Sequence, residues 1–319
     1  MQNQLPHIRS AIYSTPWAIT APWLEDICAI FERHAAGQAP KAFVAKERKR
    51  HCPDCKTGIL KEKKIQATSE PNTYMLVRGQ MECPNCGCEC SEEDMKPYDI
   101  VNGVAILPLC GPLFPKANLL TMMSGATSYE EFGNGVQMAM EDSEVSGIYI
   151  PSDSPGGSCL GLAECCNRIY TARETGTKPI MALVSPMACS AAYAIVSQCD
   201  QVFISESGMA GSIGTILKYN NWDRAERNEG NDAVMMTSSD VKSFGTPQSV
   251  AQYQSLMDTL QSYFEQFKEI VVRGRPGIEI EKVSGAKVWI GKQCVSMGIC
   301  DGMATEPEML SMMSADMAK

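Results

Sequence analysis

The chain has 319 residues, 44% of them hydrophobic, and a formal net charge of −9. That composition supplies a large core and excludes a globally disordered chain. The acidic balance argues against nucleic acid as a partner, because the one basic run, KAFVAKERKRH at 41–51, is short and reads as a solvated linker.

No apolar run of roughly 18 residues or more occurs, so no membrane partner is expected. The N-terminus, MQNQLPHIRSAIYSTPW, lacks the apolar stretch of a signal peptide, and a cytoplasmic protein is expected. Of fifteen cysteines, six lie between Cys52 and Cys90. The others are scattered through apolar contexts, apart from the adjacent Cys165 and Cys166. An odd count without an export signal argues against a disulfide framework, and the scattered thiols read as small core residues.

Residues 1–48 read as an N-terminal helical arm. Within it, APWLEDICAIFERHAAG sets Trp23, Leu24, Ile27, Ile30, Phe31 and His34 on one helical face, with Pro22 early and Gly37 as a stop. Residues 49–95 form a cysteine-rich module. VAILPLCG (104–111) reads as a buried strand. TSYEEFGNGVQMAMED (127–142) carries Tyr129, Phe132, Val136 and Met140 at helical spacing. SGIYIPS (146–152) is a strand followed by an SPGG turn, CLGLAECCNRIYTARE (159–174) a helix, and KPIMALVS (178–185) a strand. DQVFIS (200–205) and SIGTIL (212–217) are further short strands. A long helix over 248–272 presents Val250, Tyr253, Met257, Leu260, Phe264, Phe267 and Val271 as its apolar stripe. The tail, 304–319, is rich in Met and Glu and is expected to be flexible. Alternating strands and helices over 96–303 predict an α/β domain with largely parallel pairing.

In the cysteine-rich module, HCPDCKTG and ECPNCGCEC carry two Cys-x-x-Cys knuckles, Cys52 with Cys55 and Cys83 with Cys86, 27 residues apart. Four thiolates so arranged reach one tetrahedral zinc ion. A closed four-cysteine site leaves no position for a substrate water, so the zinc is read as structural. Cys88 and Cys90 are spare: either replaces Cys86 as a ligand, or both are free thiols. The alternating stretch TYMLVRGQM suits a zinc-ribbon hairpin.

The stretch SPMACSAAYAI (185–195) raises Ser190 as a nucleophile. Attack requires a base within hydrogen-bond reach and backbone donors for the oxyanion. The three histidines, His7, His34 and His51, all lie upstream of the α/β domain, so a serine–histidine pair within that domain is excluded. A lysine is the alternative base, provided burial keeps it neutral. Lys242, in MMTSSDVKSFGTPQS (235–249), has small polar neighbours and is the candidate. DSPGGS (153–158) frees glycine amides after a strand, and the amide of Ala191 lies near the start of the helix that carries Ser190.

The run IPSDSPGG, SPMACSAAYAIVSQCD, MAGSIGTI and DVKSFGTP resembles the signal peptide peptidase A family of serine–lysine proteases. The likeness is to its tailed-phage branch, the head maturation (capsid assembly) proteases, and LPHIRSAIYSTPWAI at the start resembles that branch too. The resemblance covers roughly residues 100–303 and the first 35 residues. It implies a Clp-protease/crotonase-like spiral of ββα units. It implies Ser190 as nucleophile, Lys242 as general base, Ser212 as the serine that orients the lysine, and an oxyanion hole of Gly157, with Gly156 beside it, and the amide of Ala191. It implies a homo-oligomeric ring, no cofactor in catalysis, and scaffold, portal or capsid proteins as substrates, in the host cytoplasm or the prohead. This chain departs from the pattern at Pro151 and Ser152, where relatives prefer aliphatic residues and Asp, and in its zinc module. The scaffold extension fused to some phage relatives is expected to be absent. Rival readings are a catalytically idle ring or docking protein, a bacterial housekeeping peptidase of the same family, and a crotonase-type acyl-CoA enzyme.

Overall fold

The computed structural model describes residues 15–35, 61–66, 74–83, 85–91, 96–117, 125–218, 228, 230, 236, 238–239, 241 and 249–316. The arm supplies β1 (Trp17–Ile19) and α1 (Ala21–Ala35). A separate antiparallel sheet follows, of β2 (Lys61–Gln66), β3 (Tyr74–Glu82) and β4 (Glu89–Ser91) in that order. The hairpin expected in the cysteine-rich module is therefore present.

The main domain opens with β5 (Asp99–Val101), β6 (Val104–Ile106), β7 (Leu109–Cys110), β8 (Leu113–Phe114), β9 (Thr127–Ser128) and α2 (Tyr129–Glu141). Next come β10 (Gly147–Ser154), β11 (Gly156–Ser158), α3 (Leu162–Glu174), β12 (Ile180–Cys189) and α4 (Ala191–Val196). It closes with β13 (Gln201–Ile204), β14 (Met209–Gly211), α5 (Val250–Gly274), α6 (Ile280–Val283), β15 (Val288–Ile290), α7 (Lys292–Ser296), β16 (Gly302–Met303) and α8 (Glu306–Asp316). This is a mixed α/β fold with parallel strands at its centre.

The larger sheet runs β15-β14-β12-β10-β6-β5, with β7 also on β10, and with β13 on β12 and on β16. Its central pairings, β6–β10, β10–β12, β12–β13 and β12–β14, are parallel. Parallel strands need both faces covered. On one face Ile148, Ile150, Ile180, Ala182 and Val184 pack with Phe132, Val136, Ile169 and Tyr193 from the helices. On the other, Tyr149, Met181 and Leu183 meet Met309 and Met313 of α8.

β12 forks. Its first half pairs with β13 and its last three residues, Met187–Cys189, pair with β14. Opposite the fork the β10 register slips, from Ser152 facing Val184 to Asp153 facing Met187. Ser152 is fully buried there and donates its hydroxyl to the Met187 carbonyl at 3.1 Å. Pro151 lies where β6 gives way to β7, so its missing N–H interrupts no continuous ladder. Both departures thus fit an unbroken β10. Beyond it, β11 leaves for a second sheet, ordered β1-β11-β8-β9.

The structure differs from the sequence reading at several elements. SIGTIL is not a strand: β14 ends at Gly211, and Ile213 and Ile216 make only isolated bridges. VAILPLCG is two short strands rather than one. Trp23 is 40% exposed, while Leu24, Ile27 and Cys28 form the buried side of α1. The predicted stripe of α5 is buried only at its end: Phe267 and Val271 are in the core, whereas Val250, Tyr253 and Met257 are exposed.

The expected flexible tail is instead mostly α8, because Met309 and Met313 are fully buried under the sheet and supply the cover that its second face requires. Met313→Ala is expected to lower unfolding free energy by about 2–5 kcal/mol in urea titration, the usual cost of truncating a buried methionine. A fraying tail would instead give a change within about 0.5 kcal/mol.

Candidate active site

Ser190 sits at the junction of β12 and α4 with φ 55° and ψ −121°. A non-glycine residue rarely adopts that conformation, which costs about 1–3 kcal/mol and persists only where the surroundings over-determine it. They do so here. The Ser190 N–H donates to the Gly211 carbonyl at 2.7 Å, tying the turn to the end of β14. The helix behind it is fully buried from Ala191 to Val196. Tyr193 donates its hydroxyl to the Ile299 carbonyl at 3.0 Å. Gln198, just past α4, donates to the Ile270 carbonyl of α5 at 2.9 Å and accepts from Arg273.

The Ser190 side chain is fully buried, and Oγ donates to the Gly214 carbonyl at a long 3.5 Å. Among the described residues no lysine or histidine side chain is hydrogen-bonded to it. Cys189, the neighbour in sequence, is no rival nucleophile, since burial pushes its thiol up to about 12. The same cause pushes Cys159 and Cys165 up to about 12 and Cys166 well above the usual thiol range, in keeping with their reading as core residues.

The DSPGG loop closes on the serine. Gly156 has φ +105°, and a Cβ on it would stand 3.0 Å from Ser190 Cβ, 3.0 Å from the Cys189 carbonyl oxygen and 2.3 Å from the Ala18 carbonyl oxygen. A Cβ on Gly157 would meet the Leu113 carbonyl oxygen at 2.1 Å. Neither position admits a side chain. Ser154 braces the loop, donating to the Gly111 carbonyl at 2.7 Å and accepting the Gly156 N–H at 3.2 Å. The Gly156 amide is thus engaged within the loop. The Ala191 amide belongs to the first turn of its helix, where N–H groups lack intrahelical acceptors.

Ser212 is also held at positive φ, 54°, with its N–H donated to the Lys287 carbonyl at 2.6 Å. The structure therefore brings Ser190, Ala191, Gly156, Gly157 and the 211–214 turn carrying Ser212 together. Lys242 lies outside the described residues, as do Cys52 and Cys55. Cys83, Cys86 and Cys88 gather their sulfurs within 4.8 Å of one another. The Asn85 N–H points at Cys83 Sγ at 3.4 Å, and Gly87 and Cys88 close the turn onto Cys83 through two backbone hydrogen bonds of 2.9 Å. A thiol set of this kind suits a thiophilic metal ion. Sequence reasoning missed Ser154 and Leu113, which shape the loop, and the insertion of β1 beside it; the Ser-x-Gly spacing before Gly156 was the available signal for the first.

Residues 172–318 match the family model described as Peptidase family S49. Among curated proteins it is similar to "Capsid assembly protease C" of Escherichia phage lambda, 28% identical over 223 residues, covering 68% of this chain and 50% of the relative. It is similar also to "Head-tail preconnector protein GP5" of Enterobacteria phage P21, 30% identical over 225 residues, covering 68% of this chain and 44% of the relative. A "Putative signal peptide peptidase SppA" of Enterococcus faecium is 24% identical over 179 residues, covering 54% of this chain and 52% of the relative. The chain spans about half the length of these curated relatives. Among solved structures, a mutant of the 1510-N membrane-bound stomatin-specific protease in complex with a substrate peptide aligns at TM-score 0.41 and 15% identity, covering 65% of this chain and 78% of that one. An enoyl-CoA hydratase/isomerase family member aligns at TM-score 0.42 and 12% identity, covering 70% of this chain and 76% of that one.

Gly156→Ala is expected to cost about 1–3 kcal/mol, through the positive φ and the close Ala18 and Ser190 contacts together. Thermal unfolding measures the loss, and amide exchange at β11 should rise with it. An unchanged melting temperature would show that the loop tolerates a side chain.

Proposed function

We propose that the protein is a serine endopeptidase with a Ser190–Lys242 dyad, cleaving scaffold, portal or capsid proteins during phage prohead maturation. The observation that carries this reading is the strained, buried Ser190 set against a glycine loop that admits no side chain. The likeness to phage proteins named for capsid assembly and head–tail connection supports the substrate class. A Clp-protease/crotonase-like spiral agrees with the forked β12 and the second sheet begun by β11. A ring of subunits would cover Val250, Tyr253 and Met257, which stand 85%, 58% and 42% exposed along α5. No helix among the described residues is long and apolar enough to cross a membrane, and the proposed site of action is the host cytoplasm or the prohead.

In this mechanism neutral Lys242 takes the Ser190 proton as Oγ attacks the peptide carbonyl. Ser212 orients the lysine. The amides of Gly157 and Ala191 receive the oxyanion. Protonated Lys242 then gives its proton to the leaving amine, and a water, activated by the same lysine, releases the acyl group from Ser190. No cofactor takes part. Ser190→Ala and Lys242→Ala should each lower cleavage of co-expressed head proteins by about a thousandfold or more. Only Ser190→Ala should abolish the fluorophosphonate attachment site. Full cleavage by either variant sinks the dyad.

The zinc reading is a proposal of the same kind: a structural ion held by Cys52, Cys55, Cys83 and Cys86, with Cys88 near enough to replace one of them. The clustered sulfurs of Cys83, Cys86 and Cys88 support it. Elemental analysis should find about one zinc per chain. Cys83→Ser should lose the metal while Ser190 remains reactive to the probe. A metal-free wild-type protein purified without chelators overturns the assignment.

A further inference from the structure

Extended peptides bind sheets by completing backbone hydrogen bonds along an edge, with side chains alternating into pockets. β1 does this within the molecule, and on both of its edges. Trp17 exchanges two hydrogen bonds with Ile216: its N–H donates to the Ile216 carbonyl at 2.9 Å, and its carbonyl accepts the Ile216 N–H at 2.8 Å. On the opposite edge the Cys159 N–H donates to the Pro16 carbonyl at 3.1 Å, and the Thr20 N–H donates to the Pro155 carbonyl at 3.1 Å. Ala18 faces Gly157 midway between those two bonds, so it occupies a hydrogen-bonded position of the antiparallel ladder. The two stretches that grip β1 are the same two that flank Ser190: the DSPGG loop with β11, and the turn after β14.

The position of Ala18 is specific. Its carbonyl oxygen lies 2.3 Å from the point where a Gly156 side chain would begin, and Ser190 Cβ lies 3.0 Å from that same point. The carbonyl therefore enters the loop beside the serine and opposite the Gly157 amide, where a substrate acyl group has to sit. The side chains alternate as in a bound peptide. Trp17 and Ile19 join Leu24, Ile27, Cys28 and Phe114 in a small cluster separate from the main core, with Trp17 edge-on to Phe114 at 5.6 Å. Ala18 points the other way, fully buried in the main core.

We infer that Trp17–Ile19 is an internal substrate mimic: it fills the peptide slot in the sense and register of a substrate strand, and a protein substrate reaches Ser190 only after β1 leaves. This rests on the reading of Ser190 as nucleophile. The occupant also states what the slot accepts: a bulky apolar side chain where Trp17 lies, a small one where Ala18 lies, and an aliphatic one where Ile19 lies. The arm is then the element that closes the site, and its departure is what opens it.

The test uses the full chain with Trp17→Ala and, separately, Ala18→Pro, which removes the N–H facing Gly157. Two readouts are followed: fluorophosphonate labelling of Ser190, and amide exchange at 156–159 and 216. Each variant should exchange faster than wild type and label at least about tenfold faster, as expected when a closed population is shifted open. The free peptide STPWAITAP, residues 14–22, should slow both processes again, and a scrambled peptide should not. Wild-type exchange in both variants overturns the proposal, since β1 is then fixed structure. So does a variant that opens by exchange yet labels Ser190 at the wild-type rate, or one that the peptide does not protect. Opened variants that the peptide protects but that never label at Ser190 leave β1 as the slot's occupant and remove the nucleophile reading instead.

Discussion

The parallel pairing of β10 with β12 is the constraint from which the site follows. Both strands run in one direction, so their carboxyl ends finish on the same edge of the sheet, where loops of an open α/β sheet converge. The slip between Ser152 and Asp153 lets the ends of the two strands diverge from the register of their beginnings. β12 then turns its last residues onto β14, while β10 passes through Pro155 into β11 and a different sheet. Ser190 and the glycine loop meet because of that divergence. Were β12 to continue on β13 alone, no turn at Gly211 would exist to accept the Ser190 N–H.

A strained residue needs rigid neighbours. The α4 turn supplies them through groups that have no role in the chemistry. Gln198 is fully buried and uses its amide to join Ile270 and Arg273 of α5, so the long helix is fastened to the short one that carries the serine. Tyr193 fastens the same helix to the segment after α7. Small residues, Ala191, Ala192 and Ala194, let these partners approach closely. The alanines and glycines that looked merely permissive in the sequence are what allow backbone groups to meet around one hydroxyl.

Much of this was legible because it depends on local chemistry. Alternating strands and helices gave the parallel domain, and the apolar settings of the scattered cysteines foretold the burial of all but Cys110, which is half-buried. Ser190, Ala191 and the two glycines were legible from small residues next to a strand end. What was not legible depended on distant partners. The fate of Met309 and Met313 is set by the far face of the sheet, not by their own Met- and Glu-rich surroundings. Val250, Tyr253 and Met257 have the spacing of a buried stripe, but α5 packs against the core through Tyr263, Phe264, Phe267, Ile270 and Val271, toward its C-terminal end. SIGTIL has strand composition, yet Gly211 and Ser212 at positive φ turn the backbone away before a ladder forms. The arm was the hardest case: STPWAI reads as a turn and a short apolar run, and nothing in it names β11 as its partner.

That arm has its own hydrophobic cluster, which bears on how the molecule can change state. A strand welded into the main core could leave only by unfolding the domain. β1 is anchored chiefly through Trp17, Ile19 and the buried side of α1 against Phe114, a patch that shares little with the helices behind Ser190. The strained serine is fastened from the opposite side, by β14, Ile299 and α5. In the proposed opening, β1 would leave without a change in the contacts that hold Ser190. In the peptidase proposed above, such a division would keep cleavage apart in time from assembly. The separation lies in the packing: one cluster lies behind Ser190, and another packs Trp17 and Ile19 of β1 against Phe114.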